Sequence, residues 1–162
     1  MCGIVGNINK SLVKNNLIEG LKKLEYRGYD SVGIALVNNN KAIDILKSEG
    51  KIDDFLSKYK NNKSDGQIGI GHTRWATHGI PSDNNAHPIF DYYKSLAVVH
   101  NGIIENYLEI KTQLQSKGYK FVTDTDTECI ANLISSYIKD GYSIDKSIDL
   151  TIKSGEWLGI IG

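Results

Sequence analysis

The sequence predicts an α+β fold in which helical layers pack on sheets. Short β-rich segments dominate the first half of the chain, and strongly periodic helices follow in the second half. The length of 162 residues suits one domain. Lysine plus arginine equals aspartate plus glutamate at 19 each, so the composition offers no basic stripe for a nucleic acid or for an anionic membrane surface.

The first 71 residues predict four strands and two helices. A short buried strand covers residues 3–8, and a helix capped by Asn15 or Asn16 follows it and ends at Gly28. The other predicted elements are strands over residues 32–37, 42–46 and 67–71 and a weak helix over residues 52–59.

Residues 72–88 have neither a helical nor a strand period. They contain three of the four histidines together with Arg74 and Trp75. A long irregular segment rich in polar and aromatic groups is typical of a binding loop, so this stretch is predicted to be one.

The second half predicts a buried strand over residues 96–100, a helix capped by Asn106 and stopped by Gly118, and a short strand over residues 121–122. Thr125 and Glu128 match a capping box that opens the next helix. Ser143 opens a last helix, whose apolar positions are Ile144, Ile148 and Ile152, and a strand begins at Trp157.

Cys2 follows the initiator Met1 directly, which makes an unusual nucleophile possible. Removal of Met1 would leave the thiol beside a free α-amine whose ordinary pKa is about 7.7–8.0. Such an amine is a known activator of its own side chain. The alternative is that Cys2 is simply a small apolar residue at the start of a strand.

Three further features each have both a functional and a purely structural interpretation. Asn101-Gly102 is either a tight turn or the donor pair of an oxyanion hole. The planar guanidinium of Arg74 suits either the carboxylate of a substrate or a salt bridge at the surface. Asp126 binds an ammonium group or caps a helix. A ligand with a carboxylate, an ammonium and an acyl carbon is an amino acid with an amide side chain.

Several other classes of site and location are disfavoured. The histidines, His72, His78, His87 and His100, lack zinc-site spacing, and no nucleotide-binding glycine motif is present. The patterns therefore predict neither a metal nor a cofactor. Cys129 falls on an apolar helix face and is predicted to be a core residue. No signal peptide or membrane helix is indicated, and two thiols form no disulfide scaffold, so the cytoplasm is the expected location.

Six stretches of the chain resemble one known family. They are Cys2-Gly-Ile-Val-Gly6, Leu24-Glu-Tyr-Arg-Gly-Tyr-Asp-Ser31, Gly71-His-Thr-Arg-Trp-Ala-Thr-His-Gly79, Asn85-Ala-His-Pro88, Val98-Val-His-Asn-Gly-Ile-Ile-Glu-Asn106 and Thr125-Asp-Thr-Glu128. Together they resemble the glutaminase domain of the glutamine–fructose-6-phosphate aminotransferases, which are class II amidotransferases with an N-terminal nucleophile. The resemblance covers the chain to about residue 140.

This resemblance implies a four-layer αββα sandwich and the hydrolysis of L-glutamine by the Cys2 thiol. It implies that Asn101 and Gly102 bind the oxyanion. The residues that would hold and enclose glutamine are Arg74 for its carboxylate, Asp126 for its ammonium, and Trp75, Thr77 and His78 on a closing loop.

Family members continue into further strands and two sugar isomerase domains, which residues 1–162 do not contain. We therefore expect a partial amidotransferase domain, an incomplete sandwich, and a separate sugar isomerase domain or chain as the partner that receives ammonia. The alternatives are a truncated, non-catalytic remnant or binding module and an amidotransferase of another pathway.

Overall fold

The computed structural model describes residues 1–76 and 79–155 and the backbone of residues 157–158. The strands are β1 (Gly3–Ile8), β2 (Ser31–Val37), β3 (Ile43–Glu49), β4 (Ile68–Arg74), β5 (Ile89–Phe90), β6 (Ala97–Val98), β7 (Ile103–Ile104) and β8 (Trp157–Leu158). The helices are α1 (Lys14–Leu24), α2 (Ile52–Lys58), α3 (Tyr107–Ser116), α4 (Thr127–Lys139) and α5 (Ile144–Ser154), and a 3-10 turn covers Glu25–Arg27.

The longer strands form one antiparallel sheet in the order β1-β4-β2-β3. Helix α1 packs on β1 and β4, and α2 packs on β2 and β3. The core between these helices and the sheet is built from Val13, Leu17, Ile18, Leu21, Val32, Ile34, Leu36, Leu46, Ile52 and Phe55. Burial of this apolar surface is the main force that holds the helices on the sheet.

Short strands and the remaining helices form the other half of the molecule. Strand β5 pairs with β6, β7 pairs with β8, and α4 packs on β5 and β6. Helices α3 and α5 pack against α4. A second core joins α3, α4 and β7 and includes Ile104, Ile110, Leu114, Tyr119, Cys129 and Ile130. The layers are therefore α1 and α2, the four-stranded sheet, the short strands, and the helices that pack on them. This arrangement confirms the predicted α+β sandwich.

Strand β4 is longer than its sequence pattern indicates: it continues through Arg74, whereas the pattern predicts an end at Gly71. It lies between β1 and β2, so neighbours on both sides satisfy its backbone groups. His72 and Arg74 are therefore strand residues, and their placement in the irregular loop was wrong.

The predicted caps of two helices, α1 and α4, were also wrong. Helix α1 begins after Val13, and the Asp65 carboxylate accepts a hydrogen bond from the backbone N–H of Lys14 at 3.2 Å. Helix α4 begins after Asp126, not after Thr125. The Glu128 carboxylate does not close a capping box, because it accepts the backbone N–H groups of Val122 and Thr123 instead. These hydrogen bonds turn the chain just before Asp126.

Helix α5 is capped by Ser143 as predicted, but its buried face is not the apolar one. Ser147 and Thr151 are buried, whereas 63% of Ile144 and 42% of Ile148 remain exposed. These small residues allow α5 to approach α4 closely. The spacing of the isoleucines predicts a different buried face and gives no sign of this contact.

Other boundaries also differ from the pattern. Residues 121–122 form no strand, and β6 spans only Ala97–Val98. The strand predicted from Trp157 to Ile161 is present at Trp157–Leu158, and its last residues lie outside the described part of the chain. Among the described residues, no helix is long and apolar enough to cross a membrane.

Candidate active site

Strand pairing places Cys2 at the end of β4. Gly3 lies opposite Thr73 in the β1–β4 ladder, so the residue before Gly3 meets the residues that follow Thr73. The backbone N–H of Trp75 points at Cys2 Sγ at 3.3 Å. An N–H donor at this distance stabilises a thiolate.

The Asn101-Gly102 pair lies on the other side of Cys2, in the segment between β6 and β7. The backbone nitrogen of Cys2 lies 3.5 Å from Asn101 Oδ1 and donates to it. This contact occupies the acceptor end of the Asn101 side chain. Its Nδ2 amide is then the end available to donate to a ligand.

Asp126 and Arg74 supply opposite charges to the same region. Both are buried, with 4% and 3% of their surface exposed. Asp126 Oδ2 accepts the backbone N–H of Ile104 at 2.9 Å, which ties the helix start to β7. Burial lowers the pKa of the Arg74 guanidinium, and the nearby carboxylates of Asp30 and Asp126 oppose that shift.

These side chains surround one cavity of about 90 Å³. The predicted site residues that line it are Cys2, Arg74, Trp75, Asn101, Gly102 and Asp126. Met1 also lines the cavity, so removal of Met1 would widen the space beside the thiol. Thr77 and His78 lie outside the described residues.

The electrostatic environment of Cys2 contains opposing effects. Desolvation raises the pKa of the Cys2 thiol, while the Trp75 backbone hydrogen bond and the positive charges of the N-terminus and Arg74 lower it. In contrast, burial raises the pKa of Cys129 to about 12. The prediction that Cys129 is a core residue is confirmed, since only 1% of its surface is exposed.

Sequence reasoning missed the residue that holds the loop after β4. The backbone N–H of Ala76 donates to Asp30 Oδ2 at 2.7 Å. The ring of Tyr29 packs edge-on against Trp75, with centroids 5.4 Å apart. The Tyr29-Asp30 pair belongs to the second family motif, and this was the available signal.

Sequence reasoning also missed a set of neutral histidines at the cavity, of which His87 and His100 line it. His87 Nε2 lies 2.8 Å from Thr127 Oγ1, and His100 Nδ1 lies 3.3 Å from the same hydroxyl. His72 stacks on His87 with ring centroids 4.5 Å apart. Burial lowers the pKa of His72 to about 3 and lowers the pKa values of His87 and His100. Within the described residues, no cluster of three or more His, Cys, Asp or Glu has the arrangement of a metal site.

The fold and the thiol cavity define an N-terminal-nucleophile type of amidotransferase, and comparison with known proteins agrees. Residues 38–146 match the family model of the glutamine amidotransferase domain. The chain therefore belongs to the glutamine amidotransferase domain family, and the resemblance found in its motifs is confirmed.

Individual relatives give the comparison more detail. The chain is 50% identical to glutamine–fructose-6-phosphate aminotransferase (isomerizing) of Clostridium acetobutylicum over 99% of its length, and 53% identical to the Buchnera aphidicola protein of the same name over 94%. It covers only 26% and 25% of those two relatives, so it spans about a quarter of their length.

Solved structures show the same fold. The Bacillus subtilis glutamine phosphoribosylpyrophosphate amidotransferase, complexed with ADP and GMP, superimposes with a TM-score of 0.76 at 28% identity. The match covers 96% of this chain and 33% of that one.

Proposed function

We propose that this chain is a glutaminase module, which hydrolyses L-glutamine to glutamate and ammonia with Cys2 as the nucleophile. The observation that carries this proposal is the placement of Cys2, Asn101, Arg74 and Asp126 around one cavity. A thiol, an amide donor, a guanidinium and a carboxylate match the reacting carbon, the oxyanion, the carboxylate and the ammonium of glutamine. Membership of the glutamine amidotransferase domain family supports the same substrate.

The chemistry begins with the α-amine of Cys2 after Met1 has been removed. The amine takes the thiol proton, and the thiolate attacks the side-chain amide carbon of glutamine. The Asn101 side chain and the Gly102 backbone N–H stabilise the tetrahedral oxyanion. The C–N bond then breaks, the α-ammonium returns its proton to the leaving amine, and ammonia departs.

A γ-glutamyl thioester on Cys2 remains. The amine takes a proton from water as the water attacks the thioester carbonyl, and collapse of the second tetrahedral intermediate breaks the C–S bond. Glutamate leaves and the thiolate recovers its proton. Arg74 and Asp126 bind the substrate throughout, and Trp75 lines the cavity beside it.

The ammonia is proposed to reach fructose 6-phosphate and give glucosamine 6-phosphate. The names of the two relatives support this acceptor. Because the chain spans about a quarter of those relatives, we assign residues 1–162 to the amidotransferase domain and the sugar chemistry to a sugar isomerase domain or chain. We place the protein in the cytoplasm, whose reducing conditions keep the Cys2 thiol free.

The test is a glutaminase assay on the chain whose first residue is Cys2. We expect glutamate and ammonia in equal amounts, and no product from Cys2→Ala. Addition of a separately expressed sugar isomerase chain and fructose 6-phosphate tests the acceptor, with glucosamine 6-phosphate as the expected product. Absence of glutamate from the processed chain, alone and with that partner, would contradict the proposal.

A further inference from the structure

One partly buried hydrogen bond joins the nucleophile's sheet to the segment that carries Asn101. His72 Nε2 lies 3.2 Å from the backbone oxygen of His100. His72 stands on β4, opposite Ile4 of β1, and its side chain is fully buried. The same sheet therefore positions Cys2 through β1 and contacts the residue before Asn101 through His72.

The ring of His72 has a defined tautomer. Its Nδ1 has no hydrogen-bond partner among the described residues, whereas Nε2 faces a carbonyl oxygen, which is only an acceptor. The single proton of the neutral imidazole therefore sits on Nε2 and is donated to His100 O. Burial lowers the pKa of His72 to about 3, so the ring is neutral and carries this single proton near neutral pH.

A histidine at this position has a cost in stability as well as a hydrogen bond. A buried polar atom without a partner destabilises the fold, and Nδ1 of His72 is such an atom within the described part of the chain. An apolar ring of similar size would avoid this cost but would leave His100 O without the bond from Nε2. His87 stacks on the ring at 4.5 Å, with an angle of 25° between the planes, and holds it in the orientation that aims Nε2 at His100.

The accepting carbonyl belongs to the peptide unit that links His100 to Asn101. Fixing its oxygen fixes the plane of that peptide and hence the direction in which the Asn101 side chain leaves the backbone. We propose that His72 is a positioning residue, whose Nε2–H bond to the His100 carbonyl holds the Asn101-Gly102 segment where it can bind the oxyanion. This inference rests on the proposed glutaminase function.

A matched pair of amide variants tests the proposal. In His72→Gln the amide nitrogen takes the place of Nε2 and still donates to His100 O. In His72→Asn the shorter side chain places its amide at the position of Nδ1 and does not reach. His72→Phe keeps a ring for His87 to stack on and has no donor.

We expect His72→Gln to keep kcat within a few-fold of the parent chain. We expect His72→Asn and His72→Phe to lose about 10- to 100-fold in kcat with little change in KM, since an error of about 1 Å in a catalytic group costs up to about 100-fold. The aldehyde analogue of glutamine forms a tetrahedral thiol adduct, so its affinity should fall in parallel with kcat, whereas the affinity for glutamate should not. Equal kcat and equal aldehyde affinity in folded His72→Phe would overturn the proposal.

Nuclear magnetic resonance of the imidazole nitrogens gives a readout that does not require turnover. We expect a proton on Nε2 of His72 and, in His72→Phe, displaced amide resonances of Asn101 and Gly102. A proton on Nδ1, or unmoved resonances, would overturn the role of His72 whether or not the chain hydrolyses glutamine. An inert parent chain with a protonated Nε2 and displaced resonances would instead contradict the proposed function and leave the positioning role supported.

Discussion

The backbone nitrogen of Cys2 lies 3.5 Å from Oδ1 of Asn101, across 99 residues of sequence. This nitrogen is an amide while Met1 is attached and becomes an amine when Met1 is removed. In either form it donates to Asn101 Oδ1 and leaves Nδ2 for an oxyanion. Only the amine has a lone pair that can accept the thiol proton.

Glutamine turnover is therefore predicted to require removal of Met1. Intact mass should show a chain that begins at Cys2, and the fraction processed should match the fraction of active sites titrated by a thiol-directed glutamine analogue. Turnover by protein that retains Met1 completely would contradict the role of the α-amine.

The two cysteines are predicted to differ in reactivity and in effect. Cys2→Ala should abolish turnover and leave glutamine binding largely intact, whereas Cys129→Ala should leave turnover close to normal. Iodoacetamide should alkylate Cys2 first near neutral pH, because burial raises the pKa of Cys129 to about 12 and covers its sulfur. Peptide mass mapping after brief treatment checks the order of labelling, and preferential labelling of Cys129 would reverse our assignment.

Arg74 and Asp126 are predicted to act in recognition. Arg74→Ala and Asp126→Asn should each weaken glutamine binding by about 2–4 kcal/mol, or about 30- to 1,000-fold in Kd, because a charged substrate group is left unpaired. Asparagine keeps an oxygen to accept the Ile104 backbone N–H, so the loss reports on charge.

The control for these variants is Asp149→Asn, which removes an exposed carboxylate on α5 whose ion pairs are with Lys146 and Lys153. It should bind glutamine normally, since surface pairs contribute little. Calorimetric titration in a Cys2→Ala background separates binding from turnover. Normal affinity in either site variant would remove that residue from the substrate site.

Gly28 is predicted to be required for the position of the loop after β4. A β-carbon at Gly28 would lie 2.6 Å from the carbonyl carbon of Arg74, so alanine displaces the Arg74–Trp75 peptide. Overpacking of this kind costs about 1–3 kcal/mol of folding stability. We expect Gly28→Ala to lose stability and kcat/KM together.

Gly6→Ala is the matched control, because a β-carbon there meets nothing within 4 Å. Urea unfolding and glutamine turnover of the two variants make the comparison. If they behave alike, the close approach of Gly28 to Arg74 has no consequence.

Stability is predicted to fall as the pH is lowered through the range of histidine titration. The pKa of folded His72 lies near 3, below its ordinary value of 6.5, because of burial and the charge of Arg74 nearby. The unfolded chain therefore binds more protons below pH 6.5, and the free energy of unfolding falls with decreasing pH. The His72 contribution between pH 7 and pH 5 is about 2 kcal/mol.

His72→Gln removes this titration and keeps a side chain of similar reach. Its free energy of unfolding should fall about 2 kcal/mol less than that of the parent chain over the same interval, as measured by urea unfolding at each pH. Parallel pH profiles for the two proteins would show that folding does not lower the pKa of His72.

Local patterns in the sequence by themselves determined much of the fold. The apolar and β-branched residues of β1, β2 and β3, the start of α5 at Ser143 and the end of α3 before Gly118 are features of neighbouring residues, so they were predictable. Candidate site residues were also identifiable from chemical type and motif, and the structure brings Cys2, Arg74, Asn101 and Asp126 to one cavity.

Only the tertiary structure decided where these elements end and which faces they bury. Strand β4 reaches Arg74 because β1 and β2 flank it, and α4 starts late because Glu128 binds the backbone of residues 122 and 123. The Ile144 stripe of α5 is exposed because the small residue Ser147 fits against α4. The contact of His72 with His100 joins residues 28 positions apart. Partners distant in the chain supply the deciding hydrogen bonds and packing in each case, and a local pattern contains no information about them.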